Sequence, residues 1–483
     1  MLRKRLLIAL WVGCASIVAL SHAAAQAPRA VAQTPHAAET GAAATARRFE
    51  AIKDDPIRLR AFLYAMPKGG DLHNHLTGAV YAERYLAWAA ETGDCLVTAT
   101  MTIDDGPCNA AEGRPPASAA LQNLDLFDRA VDAMSMRHWN PTLNGHDHFF
   151  ATFGKFGSPS DRTGDMLADV TSRAAAEHVS YLELMLTPDS TAAAIGRSVP
   201  ARPDLAAWRD ALLAAGLRDR GVAGARKNLD VAEQRWRESL RCGSDKADPG
   251  CGVTVRYIAQ VGRARPPEQV FAQMVAWFEL VSADRRYVSL NLVQPEDDPV
   301  AIRDLSLHMS MLDYLHGVYP AVPVTLHAGE LGETLVPPTD LRSHVRESIR
   351  RGHARRVGHG TAAVLEDDPF GLLREMAEKN ILVEVAMSSA EQILGVRGRH
   401  HPLRHFLEYG VPVALVTDDM GVSRSSHTQE FVKAVQDHGL DYPTLKRLVR
   451  NSIAFSFADA ATKKRLNADL DAAFAEFERR PAS

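Results

Sequence analysis

The sequence predicts an α/β protein folded as a (β/α)8 barrel of the TIM type, with an N-terminal helical extension and long insertions after strands 1 and 2. Eight short runs are continuously apolar, as expected for parallel strands that are buried on both faces. Amphipathic stretches with helical spacing separate most of these runs, and eight strand–helix units favour a closed barrel over an open sheet. The predicted strands are 70–76, 179–185, 253–259, 288–293, 322–327, 356–359, 381–386 and 411–417.

Length and composition fit one large globular domain. The chain has 483 residues, of which 46% are hydrophobic and 24% charged, which is ordinary for a soluble protein. Its formal net charge is −4. Because nucleic-acid binders concentrate positive charge on one face, we expect no nucleic-acid partner.

The first 25 residues are typical of a secretory signal peptide. Basic residues at positions 3–5 precede an apolar run over 6–20 and three alanines at 23–25, where we expect cleavage. The apolar run is shorter than the roughly 20 residues that a membrane span needs, so an uncleaved anchor is the less favoured alternative. We therefore expect a periplasmic or secreted protein that no longer contacts the membrane once the signal is removed.

Two further segments precede the barrel. Residues 26–44 are rich in Ala, Pro, Thr and Gln without apolar periodicity, and they predict a flexible linker. Residues 45–66 form the N-terminal helical extension, interrupted at Asp55, where Pro56 can start a second helix. The apolar side of this extension either forms a homodimer or packs on its own barrel. Residues 67–483 then make up the barrel domain.

The cysteines form an even set once the signal is removed. In an oxidising compartment Cys95, Cys108, Cys242 and Cys251 can pair, and three connectivities are open. Pairing of Cys95 with Cys108 and of Cys242 with Cys251 needs the least chain rearrangement. Four free buried thiols are the alternative.

The two long insertions are residues 78–178 and 187–251. The first contains Phe149, Phe153 and Phe156, whose spacing predicts one shared helical face. Loops after barrel strands line the active-site mouth, so this helix is a candidate lid over an aromatic substrate, with a plain packing helix as the alternative. The second insertion is a charged helical excursion that we interpret as structural.

A metal site is predicted at the carboxyl ends of three strands. His73 and His75 are two residues apart on strand 1, so both imidazoles project to the same side. His327 ends strand 5 and Asp418 ends strand 8, and catalytic residues of barrels collect at such positions. Nitrogen and oxygen ligands of this kind suit zinc with a position left open for water. Strand 4 lacks the lysine that bridges two metals in many related hydrolases, so we expect one Zn²⁺ per subunit.

Three further titratable residues lie on the same rim and predict metal-assisted hydrolysis. Glu330 is placed to shuttle a proton, and His359 can orient the water and take its proton. Asp419, next to the ligand Asp418, can accept a hydrogen bond from the substrate.

Four motifs, MPKGGDLHNHLTGAV, TLHAGE, RVGHG and VTDDM, resemble those of the adenosine deaminase family, in its secreted branch related to adenosine deaminase growth factors. The resemblance spans residues 67 to about 435. It implies the zinc ligands named above, Glu330 as proton donor to purine N1, His359 as the water-positioning base and Asp419 as the partner of N7. It further implies conversion of adenosine or 2′-deoxyadenosine to an inosine product and ammonia.

Departures from the family pattern fall on the sugar side of the substrate. Thr77 stands where the family has an Asp that binds the ribose 5′ hydroxyl, and Gln294 stands where it often has a Gly whose N–H meets purine N3. We expect both residues to contact the substrate. An amidohydrolase acting on a different amino-purine or nucleoside is therefore the alternative. A binding protein with a vestigial site is less favoured, since the polar set is complete.

Overall fold

A computed structural model describes residues 41–140 and 145–480. The predicted signal peptide and all but the last four residues of the predicted linker lie outside them. Eight parallel strands surround one axis, each hydrogen-bonded to the next in chain order, which confirms the predicted (β/α)8 barrel. The strands are β1 (Gly69–His75), β2 (Val179–Leu186), β3 (Thr254–Gly262), β4 (Tyr287–Val293), β5 (Val324–Ala328), β6 (Ala354–His359), β7 (Leu382–Val385) and β8 (Val413–Leu415).

Closure of the barrel depends on residues at the ends of β8 and β1. A parallel bridge joins Asn74 to Asp418, just beyond the last residue of β8. All eight predicted strands are confirmed, with ends shifted by up to three residues. Strand ends are the least certain part of a sequence-based prediction, because burial fixes the run but not the last paired residue.

Helices cover the outside of the barrel. Among the described residues, none is long and apolar enough to cross a membrane. The α-helices are Ala42–Ile52, Pro56–Ala65, Leu76–Ala79, Ala82–Thr92, Leu124–Ala133, His146–Thr152, Thr163–Ala176, Thr191–Ser198, Leu205–Ala214, Ala223–Ser239, Pro267–Ala283, Pro299–Val318, His344–Arg350, Pro369–Glu378, Met387–Leu394, Leu403–Glu408, Met420–Ser423, His427–His438, Tyr442–Ala454 and Ala460–Arg479.

The N-terminal extension consists of two helices that pack on this chain's own barrel domain. The first begins at Ala42, three residues earlier than predicted, and the second begins at Pro56 as predicted, with Asp55 accepting two backbone N–H groups as its N-cap. Phe49 and Phe62 are buried against Tyr442. Packing on the barrel is therefore the observed role of the apolar side of the extension.

The first insertion contains a small hairpin of strands Cys95–Val97 and Thr102–Asp104. A disulfide joins Cys95 to Cys108 with their Cα atoms 5.3 Å apart, and a second joins Cys242 to Cys251 at 5.6 Å. Both separations are normal for disulfides. The structure thus contains the short-range pairing.

The phenylalanines of the first insertion divide between two roles. The α-helix ends at Thr152 and continues as a 3₁₀ turn, so the single helical face predicted for the three residues is wrong. Phe156 is buried and stacks on Tyr85 with ring centroids 4.4 Å apart. Phe149 and Phe153 instead line a cavity at the barrel mouth, together with Phe150. Phe156 thus fits the packing alternative, and the lid over an aromatic substrate stays a prediction.

Candidate active site

The four predicted metal ligands converge in the throat of the barrel. The Nε2 atom of His327 lies 3.1 Å from Nε2 of His73 and 3.1 Å from Nε2 of His75. Oδ1 of Asp418 is 3.4 Å from Nε2 of both His73 and His75. All four side chains are buried. Residues up to 345 positions apart in sequence therefore present their ligand atoms to one point.

Neighbouring side chains fix which ring nitrogen faces that point. Nδ1 of His73 is 2.7 Å from Oε2 of Glu384, and Nδ1 of His327 is 2.9 Å from Oδ1 of Asn291. Because both partners are hydrogen-bond acceptors, each Nδ1 carries the proton, and the lone pair of each imidazole is on Nε2.

Gln260 plays the corresponding role for His75. Its side-chain amide lies 2.7 Å from Nδ1 of His75, and the other end of that amide is 3.1 Å from the hydroxyl of Thr187. Since the oxygen and nitrogen of a glutamine amide are exchangeable on geometric grounds and a hydroxyl can donate or accept, the amide oxygen can face His75. In that orientation the third imidazole also directs a lone pair at the cluster.

This arrangement fits a divalent metal ion. Three Nε2 lone pairs and a carboxylate oxygen facing one another without protons repel unless a cation lies between them. Oδ1 of Asp418 is buried and has no hydrogen-bond partner. In a tetrahedral zinc site with ligand distances of about 2.0–2.1 Å, neighbouring ligand atoms are roughly 3.3 Å apart, and the four separations given above, 3.1 and 3.4 Å, are close to that value. The donor set of nitrogen and oxygen atoms also suits zinc.

The backbone at two of these strand ends is strained. His359 and Asp418 have φ values of 66° and 56°, in the left-handed region that residues with a Cβ seldom adopt. Strain of this kind collects at functional sites, where the surrounding structure enforces it.

Glu330 lies beside the metal cluster and is held from both its backbone and its side chain. The carboxylate of Glu296 accepts hydrogen bonds from the backbone N–H groups of Gly329 and Glu330 at 3.1 and 2.8 Å. Oε1 of Glu330 lies 3.4 Å from the hydroxyl of Ser389 and 3.5 Å from Nε2 of His359. Burial and the nearby carboxylate of Asp418 raise the pKa of Glu330 to about 8. Its carboxyl group is therefore protonated at neutral pH and can act as an acid.

His359 and Asp419 complete the predicted set on the same rim. Burial lowers the pKa of His359 to about 4, so its imidazole is neutral and can accept a proton. Burial and the adjacent Asp418 raise the pKa of Asp419 above its ordinary value. A carboxyl group with a raised pKa can donate a hydrogen bond in its protonated form, and the acceptor role expected from the sequence stays a prediction.

The substrate-side residues line a cavity of about 280 Å³ in front of these groups. Thr77 and Gln294 both border it, as do the three phenylalanines of the first insertion. Gln294 has a φ of 78°, and its side-chain oxygen accepts a hydrogen bond from the backbone N–H of Ala264 at 3.1 Å. That hydrogen bond directs the amide towards the loop after β3. The left-handed backbone is the conformation that a glycine would adopt without strain.

Sequence reasoning missed the residues that position the ligands, namely Gln260, Asn291, Glu296 and Glu384. Asn291 and Glu384 are fully buried polar side chains within the apolar runs of β4 and β7. A lone polar residue inside a buried strand needs a partner, and this was the available signal. The partner itself lies on another strand, where sequence spacing cannot identify it.

The fold and the cluster together define a (β/α)8 barrel with a candidate metal site at the carboxyl ends of its strands. A profile of the adenosine deaminase family matches residues 157–473. The chain belongs to this family.

Curated relatives match over part of the chain. The adenosine deaminase of Enterococcus faecalis is 34% identical over 155 residues, which are 32% of this chain and 42% of that protein. The aminodeoxyfutalosine deaminase of Streptomyces coelicolor is 34% identical over 153 residues, covering 31% of this chain and 38% of that protein. The chain thus spans about two fifths of the length of these relatives. The adenosine deaminase of Streptococcus mutans is 25% identical over 64% of this chain and 73% of its own length.

Solved structures share the fold. An Arabidopsis ADAL complexed with IMP has a TM-score of 0.55 and 19% identity, covering 86% of this chain and 99% of that one. A zinc-bound amidohydrolase from Burkholderia ambifaria has a TM-score of 0.54 and 19% identity, covering 86% and 93%.

Proposed function

We propose that the protein is an exported, zinc-dependent deaminase that converts adenosine or 2′-deoxyadenosine to the corresponding inosine and ammonia. The observation that carries the proposal is the convergence of three imidazoles and one carboxylate: Nε2 of His327 lies 3.1 Å from Nε2 of His73 and of His75, and Oδ1 of Asp418 lies 3.4 Å from the same two atoms, beside the buried carboxyl of Glu330.

His73, His75, His327 and Asp418 would hold the metal. When bound there, zinc lowers the pKa of water so that a nucleophile is available at neutral pH. The zinc-bound Burkholderia ambifaria structure, which shares this fold, supports the choice of metal.

The residues of the chain then supply the proton transfers. Glu330 donates its proton to N1 of the purine, which makes C6 electrophilic. His359 accepts a proton from the attacking water. Because N7 of the purine is an acceptor, Asp419 in its protonated form donates a hydrogen bond to it. Attack at C6 gives a tetrahedral carbon. The proton taken by His359 passes to the amino group, which leaves as ammonia, and the remaining hydroxyl proton returns to Glu330, which leaves the 6-oxo product. General acid and base groups of this kind each accelerate such reactions by about 10²–10⁴-fold.

The cavity favours a small, uncharged aromatic substrate. Its phenylalanines provide apolar and edge-to-face contacts for a purine ring. Among the described residues that line it, none is Lys or Arg, so no cation is available for a phosphate group. We therefore expect nucleosides to be better substrates than nucleoside monophosphates.

The experiment is an ammonia-release assay on purified protein of measured zinc content, with adenosine, 2′-deoxyadenosine, adenine and AMP as substrates. Turnover of adenosine or 2′-deoxyadenosine supports the proposal. A clear preference for adenine would instead favour the alternative that Thr77 and Gln294 suggest. Inactivity of the zinc-loaded protein on all four substrates would contradict the proposal. Fractionation of the producing cells tests export.

A further inference from the structure

A chain of buried charges runs beneath the metal cluster. Nη2 of Arg356, on β6, lies 2.6 Å from Oε2 of Glu183 on β2, and its Nε lies 2.6 Å from Oε1 of Glu384 on β7. Oε2 of Glu384 in turn lies 2.7 Å from Nδ1 of His73. All of these side chains are at most 1% exposed.

Stability alone is a poor explanation for this arrangement. Removing charges from water is expensive, and apolar residues of similar volume usually stabilise a core at least as well as a buried ion pair does. Arg356 nevertheless stacks on the ring of Phe457 at 3.9 Å and donates to the carbonyl of Phe455 at 3.1 Å. The guanidinium of Arg356 is therefore fixed by contacts on several sides, although its burial removes it from water and is unfavourable.

Arg356 alone does not balance the carboxylates that lie around it and His73. Glu183, Glu384 and the ligand Asp418 provide three carboxylates against the one guanidinium of Arg356. The two negative charges that remain are those that a divalent ion at the Nε2 atoms would neutralise. The buried network is thus complementary to an occupied metal site.

The two oxygens of Glu384 have separate tasks. Oε1 faces Arg356 and accepts a hydrogen bond from the hydroxyl of Thr325 at 3.0 Å, while Oε2 has His73 as its partner. Anchoring of Oε1 fixes the direction of Oε2. That direction determines both the tautomer and the ring orientation of His73.

We propose that Glu384 is a positioning residue for the metal site, and that its contacts with Arg356 and Thr325 hold its carboxylate aimed at Nδ1 of His73. The proposal rests on the proposed function only in its choice of zinc as the ion. It predicts that zinc affinity depends on the reach of Glu384 and not on that of Glu183, although the two carboxylates contact the same arginine.

The test compares Glu384→Asp with Glu183→Asp. Both substitutions keep the charge and withdraw a buried carboxylate by one methylene, so both disturb packing to a similar degree, but only the first moves a group that contacts His73. The zinc Kd of the metal-free proteins is measured by competition with a chromophoric chelator, and the apo proteins are compared by thermal denaturation. We expect a Kd about 10–100-fold higher for Glu384→Asp, as is typical when an outer partner of a ligating histidine is lost, and a nearly unchanged Kd for Glu183→Asp.

Absorption of the cobalt-substituted proteins provides a second readout, because it reports ligand geometry. A changed spectrum in Glu384→Asp alone supports the proposal. Equal Kd values for the two variants, or a wild-type Kd in Glu384→Asp, would overturn it. Should Glu384→Asp not fold, Thr325→Val removes one anchor of Oε1 without changing any charge, and a wild-type Kd there would count against the proposal in the same way. Neither measurement uses substrate, so the outcome is independent of whether adenosine is deaminated.

Discussion

The backbone N–H of Asp418 donates a hydrogen bond of 2.8 Å to the carbonyl oxygen of His73. The N–H of His75 returns a hydrogen bond of 3.2 Å to the carbonyl of Asp418. The backbone groups that close the barrel thus belong to residues whose side chains form the metal cluster. The same hydrogen bonds therefore close the sheet and bring the ligands together. This explains how residues from opposite ends of the domain meet with suitable spacing.

Loss of one ligand is expected to remove the metal. In His327→Ala the cluster keeps only two imidazoles, so bound zinc, measured by atomic absorption, falls from one per chain to near zero and deamination stops. The control is His401→Ala, which removes another buried histidine whose Nδ1 accepts a hydrogen bond from the N–H of Leu403. Turnover that persists in His327→Ala would refute the site assignment.

Glu330→Gln is expected to separate chemistry from metal binding. The amide keeps the size of the side chain but has no acidic proton, so kcat falls by about 10²–10⁴-fold while zinc content stays the same. Glu333→Gln is the matched control, because that residue is exposed on the same loop. Equal kcat values for the two variants would rule out Glu330 as the acid.

An ion pair fastens the phenylalanine-bearing segment over the cavity. Nε2 of His146, at the start of its helix, lies 2.9 Å from Asp297, and Nδ1 lies 2.8 Å from Asp147. Burial opposes the charge on His146, but hydrogen bonds to Asp297 and Asp147 outweigh it and raise its pKa to about 9. Because this pKa is raised above its ordinary value of 6.5, the contribution of the pair is complete below about pH 6.5 and is lost as pH rises through 9.

Asp297→Asn is therefore expected to raise KM by about fivefold at neutral pH, corresponding to the roughly 1 kcal/mol of a typical hydrogen bond. Wild-type KM should rise above pH 9, whereas KM of the variant should change less. Asp147→Asn is the control, since that carboxylate is 91% exposed and screened by water. A KM that responds equally to both substitutions would argue against a role of the His146–Asp297 ion pair in holding this segment.

The disulfides are expected to be formed and to stabilise the domain. Reduction should raise the mass of the native protein by four hydrogens, and the double variant Cys242→Ser/Cys251→Ser should lose about 2–3 kcal/mol of unfolding free energy, as is usual for a short closed loop. Intact mass spectrometry and urea denaturation provide the measurements. Four alkylatable thiols in the native protein would contradict the pairing.

Packing of the N-terminal helices on the barrel gives a stability prediction. Phe62→Ala should lower the free energy of unfolding by about 3–5 kcal/mol, because it leaves a cavity among the rings of Phe49, Tyr442 and Phe477. Ile57→Ala, at a residue 81% exposed on the same helix, should change stability by less than about 0.5 kcal/mol. Dissociation of an oligomer in Ile57→Ala would show that the exposed side serves association as well.

The barrel was predictable because each strand is an apolar run between polar segments, and strand ends place polar residues at the mouth. His73, His75, His327 and Asp418 could be assigned for that reason. The role of Glu384 could not, because it follows from a neighbour 311 residues away. The prediction of one helical face for Phe149, Phe153 and Phe156 has a different weakness. It assumes α-helical spacing throughout, but the α-helix ends at Thr152 and a 3₁₀ turn follows.

Gly78 follows Thr77 in the short helix after β1, and a Cβ at this position would overlap Oδ1 of Asp419. Even a methyl group at this position would displace the carboxyl that we propose for contact with purine N7. The helix after β1 and the segment after β8 therefore pack directly against each other beside the cavity. If the proposed function holds, substitutions intended to change the substrate range belong at Thr77 and Gln294, whereas Gly78 and the neighbouring Asp418 and Asp419 should be kept.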